Sequence, residues 1–180
     1  MPESLPSAES FAAAVARVST QRGKVVVVKL GGSAMEDPAA TDACLRSAAA
    51  LNRIGIPLVL VHGGGKPIDR AMAEASLTPK RAAGRRFTDD ATLKIVVRVL
   101  SEISRDLEQR LIAMGADAHA YVGSRHFPLL GQLLRLPGEA GQTIDLGWVG
   151  SVEQVESENL NWRVTECLSL IHISEPTRRS

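Results

Sequence analysis

Lys24-Val-Val-Val-Val-Lys-Leu-Gly-Gly-Ser33 carries the decision about the fold, and Leu58-Val-Leu-Val-His-Gly-Gly-Gly65 repeats its plan. In each stretch a short, β-branched aliphatic run ends in glycines, and a helix-like segment follows within a few residues. Runs of this kind predict strands buried on both faces of a parallel sheet. A glycine turn between strand and helix leaves backbone N–H groups bare at a positive helix end, a seat for anionic oxygens. One such turn suits any phosphate-binding protein. Two of them, the first headed by Lys29, suggest a place where two anionic reactants meet.

Working outward, residues 10–18 form an alanine-rich segment that predicts a helix with Ser10 as its N-cap. The first strand is expected over Lys24–Leu30. Asp37-Pro38 opens a helix that passes Leu51 and stops before Gly55, and the second strand spans Leu58–His62. Pro67 suits a helix N1 position, with that helix running to about Ser76. Thr78–Phe87 reads as a basic loop holding Lys80, Arg81, Arg85 and Arg86. Thr88-Asp89-Asp90 caps the longest helix, in which Leu93, Val96, Leu100, Ile103, Leu107 and Leu111 keep helical spacing up to Gly115. A third parallel strand is expected over Ala118–Val122. An antiparallel pair is expected over Leu129–Leu136 and Gln142–Val155, with a turn at 137–141. The predicted class is α/β: a three-layer αβα sandwich with a mainly parallel central sheet plus a β-ribbon.

Bulk properties exclude several roles. At 180 residues the chain can bury a core. Aromatics at 3% provide few stacking platforms, and a net charge of +1 gives no polyanion footprint, so no nucleic-acid partner is expected. Cys44 and Cys167 form neither a disulfide framework nor a metal-ligand pattern, as expected in a reducing cytoplasm. No signal peptide is visible at Met1–Ser4, and no apolar run is long enough to span a bilayer, so no membrane partner is expected. Leu168-Ser-Leu-Ile-His-Ile-Ser-Glu-Pro-Thr-Arg178 matches one reading frame of a transposon-type sequencing adapter. The expected organisation is an N-terminal extension at 1–22, a domain at 23–166 and a non-native tail at 167–180.

The glycine turns fit neither common nucleotide motif. A P-loop ending at Gly65-Lys66 would need glycine at Leu60 and a hydroxyl residue at Pro67. A dinucleotide fingerprint starting at Gly63 would need glycine at Ile68. The segments Val28-Lys-Leu-Gly-Gly-Ser33, Leu60-Val-His-Gly-Gly-Gly65, Gly84-Arg-Arg-Phe-Thr-Asp89 and Asp145-Leu-Gly-Trp-Val-Gly150 instead resemble, in order and spacing, the amino-acid kinase family. The closest resemblance is to its acetylglutamate kinases, and it covers their N-terminal half.

The resemblance implies phosphoryl transfer from ATP, with Mg2+, to the side-chain carboxylate of N-acetyl-L-glutamate, a step of arginine biosynthesis. It also implies a cytoplasmic homo-oligomer at full length. Lys29 corresponds to a catalytic lysine at the moving phosphoryl group. Gly31 and Gly32 correspond to phosphate-binding amides, and Gly64 and Gly65 to substrate-binding glycines. Arg86 corresponds to the arginine that grips the α-carboxylate, with Arg85 beside it as a competitor. No metal ligand is assigned. His62, His119 and His126 are read as packing or surface residues.

Two departures bear on the exact substrate: Ser104 where the family often carries asparagine, and Gly123-Ser-Arg-His-Phe-Pro128 in place of a more glycine-rich stretch. The family's second lysine, its orienting aspartate, a substrate-binding asparagine and the ATP-binding half find no counterpart after Val155. The fragment alone is therefore expected to be inactive. The rival readings are a kinase of another acidic amino acid or of carrier-linked aminoadipate, and a non-catalytic half-domain that binds acidic ligands.

Overall fold

A computed structural model describes residues 7–82, 84–121, 129–137, 142–155 and 169–172. The elements in chain order are α1 (Ala8–Ser19), β1 (Val26–Leu30), α2 (Gly32–Glu36), α3 (Pro38–Arg53), β2 (Leu58–His62), α4 (Gly65–Glu74), β3 (Arg81–Ala82), β4 (Arg85–Arg86), α5 (Asp90–Ala113), β5 (His119–Tyr121), β6 (Leu129–Pro137), β7 (Thr143–Val155) and β8 (Ser169–His172).

The central sheet has four strands in the order β1-β2-β8-β5. Every neighbouring pair in it is parallel. The third strand expected near Ala118 is present and parallel, but β8 stands between it and β2. Thus Ser169–His172, part of the segment read as a translated adapter, sits in the sheet. There it pairs in parallel with β2 on one side and β5 on the other.

The core lies on one face of the sheet. Leu30, Leu58 and Leu60 meet Leu45, Ala48 and Ala49 of α3 and Leu107 and Leu111 of α5. A second cluster joins α4 to α5 through Ile68, Ala71, Met72, Val99 and Leu100. The opposite face is less covered. Val59 packs with Tyr121 and Leu129, but Val27 is 66% exposed. The expectation of burial on both faces therefore fails at β1, which is the sheet edge, where no helix covers Val27 and Lys29 among the described residues.

Several local signals resolve differently from the sequence reading. Ser7, not Ser10, caps α1: its side chain accepts from the Ser10 N–H, which the helix leaves without a carbonyl partner. α4 begins at Gly65, so Pro67 is its third residue rather than its first. Proline is tolerated there because its missing N–H would have had no intrahelical partner. The basic loop closes as a minimal hairpin, Arg81↔Arg86 and Ala82↔Arg85. The cap of α5 is as read, with Asp89 accepting from the Thr92 N–H at 2.8 Å. The ribbon β6–β7 is antiparallel as expected. Its turn at 138–141, and the segment containing Gly123 and His126, lie outside the described residues.

Candidate functional site

Both glycine turns emerge at the C-terminal ends of adjacent parallel strands, with Leu30 paired to His62. That edge of an open α/β sheet is where ligands bind. The second turn is held from below. His62 is buried, its Nε2 lies 2.7 Å from Ser104 Oγ on α5, and its Nδ1 lies 3.1 Å from the Gly63 carbonyl oxygen. The carbonyl can only accept, so Nδ1 carries the proton and Ser104 donates to Nε2. Burial pushes the His62 pKa down, partly offset by the Gly63 carbonyl, which favours the neutral ring. Gly64 faces α5 so closely that a Cβ would stand 2.6 Å from Leu100 Cδ2 and 3.3 Å from Ile68 Cδ1. A larger residue would have to displace the Leu100 side chain within its packed cluster.

Above this turn opens a cavity of about 540 Å³. Its floor is His62, Gly63 and Gly64, its helical wall is Leu93, Val96 and Leu100, and its far wall is Leu129, Leu130, Val149 and Val152 of the ribbon. Arg85 and Arg86 enter from β4. No aspartate or glutamate lines it among the described residues. Arg86 is only 12% exposed at its side chain and is tied on all sides. Its Nη1 lies 2.5 Å from Asp69 Oδ1 and 3.2 Å from Met72 Sδ, and its Nη2 lies 3.4 Å from the Gly65 carbonyl.

The ribbon is clasped onto this site. The Thr88 N–H donates to the Leu146 carbonyl, and the Trp148 N–H donates back to the Thr88 carbonyl at 2.7 Å. Trp148 Nε1 donates to Asp90 at the start of α5, 2.5 Å away. The close crossing needs Gly147, which has φ +67°; a Cβ there would stand 2.2 Å from the Thr88 carbonyl oxygen.

A second cavity of about 630 Å³ lies on the other side of the turn, lined by Gly32, Gly63, Gly64 and Gly65 with Met35, Ile103 and Leu107. At its mouth Lys66 pairs with Glu36 at 2.5 Å. The structure therefore brings Gly64 and Arg86 to one cavity and Gly32, Gly64 and Gly65 to the other. Lys29 and Gly31 line neither: Lys29 is exposed on the open face of β1, and Gly31 precedes α2. Among the described residues no group of three or more His, Cys, Asp or Glu comes together as a metal-ligand set. Sequence reading missed Asp69 as the partner of Arg86 and Ser104 as the partner of His62. A lone acid on a helix and a lone serine carry no local signal; the hairpin lying against α4 brings Arg86 to Asp69, and α5 lying against the end of β2 brings Ser104 to His62.

Residues 24–166 match the model of the amino acid kinase family. An acetylglutamate kinase of Methanocella arvoryzae is 36% identical over 144 residues, 77% of this chain and 48% of that protein. One from Methanoculleus marisnigri is 36% identical over 148 residues, 77% of this chain and 50% of that protein. The chain thus spans about half the length of the curated relatives it matches. Among solved structures, an N-acetylglutamate synthase from Neisseria gonorrhoeae, complexed with coenzyme A and N-acetyl-glutamate, superposes with a TM-score of 0.73 at 19% identity. That superposition covers 92% of this chain and 37% of the synthase, and it speaks to the fold alone.

Proposed function

Because the chain belongs to the amino acid kinase family, we propose that it is the substrate-binding half of an enzyme that phosphorylates the side-chain carboxylate of N-acetyl-L-glutamate with ATP. One observation carries the choice of an acylated substrate. The cavity presents two arginines, an apolar wall and no acid among the described residues. Arginines favour carboxylates. A free α-ammonium would meet no carboxylate among the described residues, whereas an amide nitrogen carries no charge and its acyl methyl suits the leucine and valine wall.

In this reading Arg86 takes the α-carboxylate, Gly64 and Gly65 bring backbone close to the substrate, and Gly31 and Gly32 receive phosphate oxygens. Lys29, on the strand beside them, meets the transferring phosphoryl group. A substrate carboxylate oxygen attacks the γ-phosphorus, the bond to the bridging oxygen breaks, and ADP departs, leaving an acyl phosphate. Positive charge and alignment carry such a transfer. The described residues supply no ligand set for the accompanying Mg2+, and no step is assigned to it here. In the same proposal the native domain ends at Glu166 and the segment 167–180 is extraneous to it, although Ser169–His172 pair within the sheet as β8. A cytoplasmic homo-oligomer of the full-length protein belongs to the same proposal. Among the described residues no helix is long and apolar enough to cross a membrane.

Calorimetry with this chain tests the reading. N-acetyl-L-glutamate should bind, glutamate and aspartate should bind far more weakly, and ATP hardly at all. Equal or tighter binding of the unacylated amino acids would overturn the choice of substrate. Full-length protein should form hydroxamate from N-acetyl-L-glutamate and ATP, and this chain should not.

A further inference from the structure

The reading above assigns Arg86 to a carboxylate but says nothing of what aims it. The guanidinium is a rigid planar fork on a side chain with several rotatable bonds, so its use depends on what holds its direction. Beside the Met72 sulfur and the Gly65 carbonyl, one charged residue restrains it. Asp69, on the first turns of α4, puts Oδ1 2.5 Å from Arg86 Nη1 and Oδ2 3.3 Å from Arg81 Nη2. The carboxylate thus bridges two strands of the small hairpin to the helix that starts at the second glycine turn. Its Oδ1 is fully buried and accepts no aligned hydrogen bond, so its hold on Arg86 is the charge contact itself, whereas Arg81 is half-exposed.

Asp69 does not line the cavity, although its neighbour Ile68 and its partner Arg86 both do. It therefore backs the guanidinium from behind and does not occupy the place a ligand carboxylate would take. We propose that Asp69 is a positioning residue: it holds the Arg86 guanidinium for an α-carboxylate, with Arg81 fixing Asp69 in turn. The inference rests on the functional reading given above.

The sign of one substitution separates positioning from simple charge. Removing a carboxylate raises the positive charge beside the cavity, and by Coulomb attraction alone that tightens anion binding. If Asp69 positions Arg86, Asp69→Asn instead weakens binding of N-acetyl-L-glutamate, by about tenfold for residues so directly coupled. 4-Acetamidobutanoate keeps the acetamido group and the distal carboxylate but lacks the α-carboxylate, and its affinity should stay within about twofold. In the Arg86→Ala background, Asp69→Asn should cause no further loss. Asp69→Glu, which keeps the charge, should recover part of the affinity.

Calorimetry on the 180-residue chain with these two ligands decides it. Equal or tighter binding of N-acetyl-L-glutamate by Asp69→Asn overturns the inference alone. So does an equal loss for both ligands, which would mark a merely structural role. Failure of the unsubstituted chain to bind N-acetyl-L-glutamate overturns the functional reading, and the inference falls with it.

Discussion

Gly31-Gly32 and Gly63-Gly64-Gly65 end neighbouring strands of the same sheet, yet they are glycine for different reasons. Around Gly31 and Gly32 a Cβ would meet nothing within 4 Å, while at Gly64 it would strike Leu100. The first turn leads into a helix of five residues, the second into one of ten. His62 and Ser104 bolt the second turn to α5, whereas the short helix after the first turn is tied to α3 through Thr41 Oγ1, which donates to the Ala34 carbonyl. The packing thus favours glycine at one position of the second turn, Gly64, while Gly63 and Gly65 have open space. In the first, only a ligand approaching the backbone would demand it. One sequence pattern can be a packing requirement in one place and a binding requirement in another.

Substitutions should separate the two. The largest effect is expected at Gly147, where the ribbon crosses Thr88 with the closeness seen at Gly64 and a left-handed backbone besides. Gly147→Ala should cost about 3 kcal/mol by denaturant unfolding, because the obstacle is a backbone carbonyl that cannot swing away. Gly64→Ala should cost about 2 kcal/mol, since Leu100 can yield only against its packed cluster.

Ser104→Ala should cost about 1 kcal/mol by leaving the buried His62 Nε2 unpaired. The same histidine gives a pH signature. Its folded pKa lies below the ordinary 6.5, so the unfolded chain takes up its proton first as pH falls. Stability should therefore decline on acidification below about pH 6.5, and His62→Gln should flatten that decline when melting is followed across pH 7 to 5. The smallest effect is expected at Gly32, the first residue of α2. Gly32→Ala should leave stability unchanged or raise it by about 0.5 kcal/mol, while abolishing turnover in the full-length enzyme. A large destabilisation there would erase the contrast between the turns.

Periodicity carried most of the fold. β2, α3, α5 and the ribbon were legible because each keeps its period for long enough to be read, and Asp89 announced α5 with a cap. α2 was not legible, since five residues after two glycines show no period. The edge position of β1 was not legible either: four consecutive valines look the same whether or not a layer covers them. Strand order escaped because β2–β8 pairing joins residues more than a hundred positions apart. Of the site, the glycine turns and Arg86 could be named from motifs. The roles of Asp69 and Ser104 could not, because their partners lie 17 and 42 residues away and the contacts arise only when the hairpin meets α4 and the end of β2 meets α5.

α5 has a consequence for how the molecule breathes. Its 24 residues run about 36 Å. The same helix supplies Leu93, Val96 and Leu100 to the cavity and Leu107 and Leu111 to the core beneath the sheet. A site built on such a shared beam cannot loosen by itself. In hydrogen exchange, amides at the middle of α5 should open only with the whole domain, while those of the two-residue strands at Arg81–Arg86 should exchange through small local openings. Ligand capture would then be adjusted by the hairpin that carries the arginine, against a floor whose stiffness is that of the core itself.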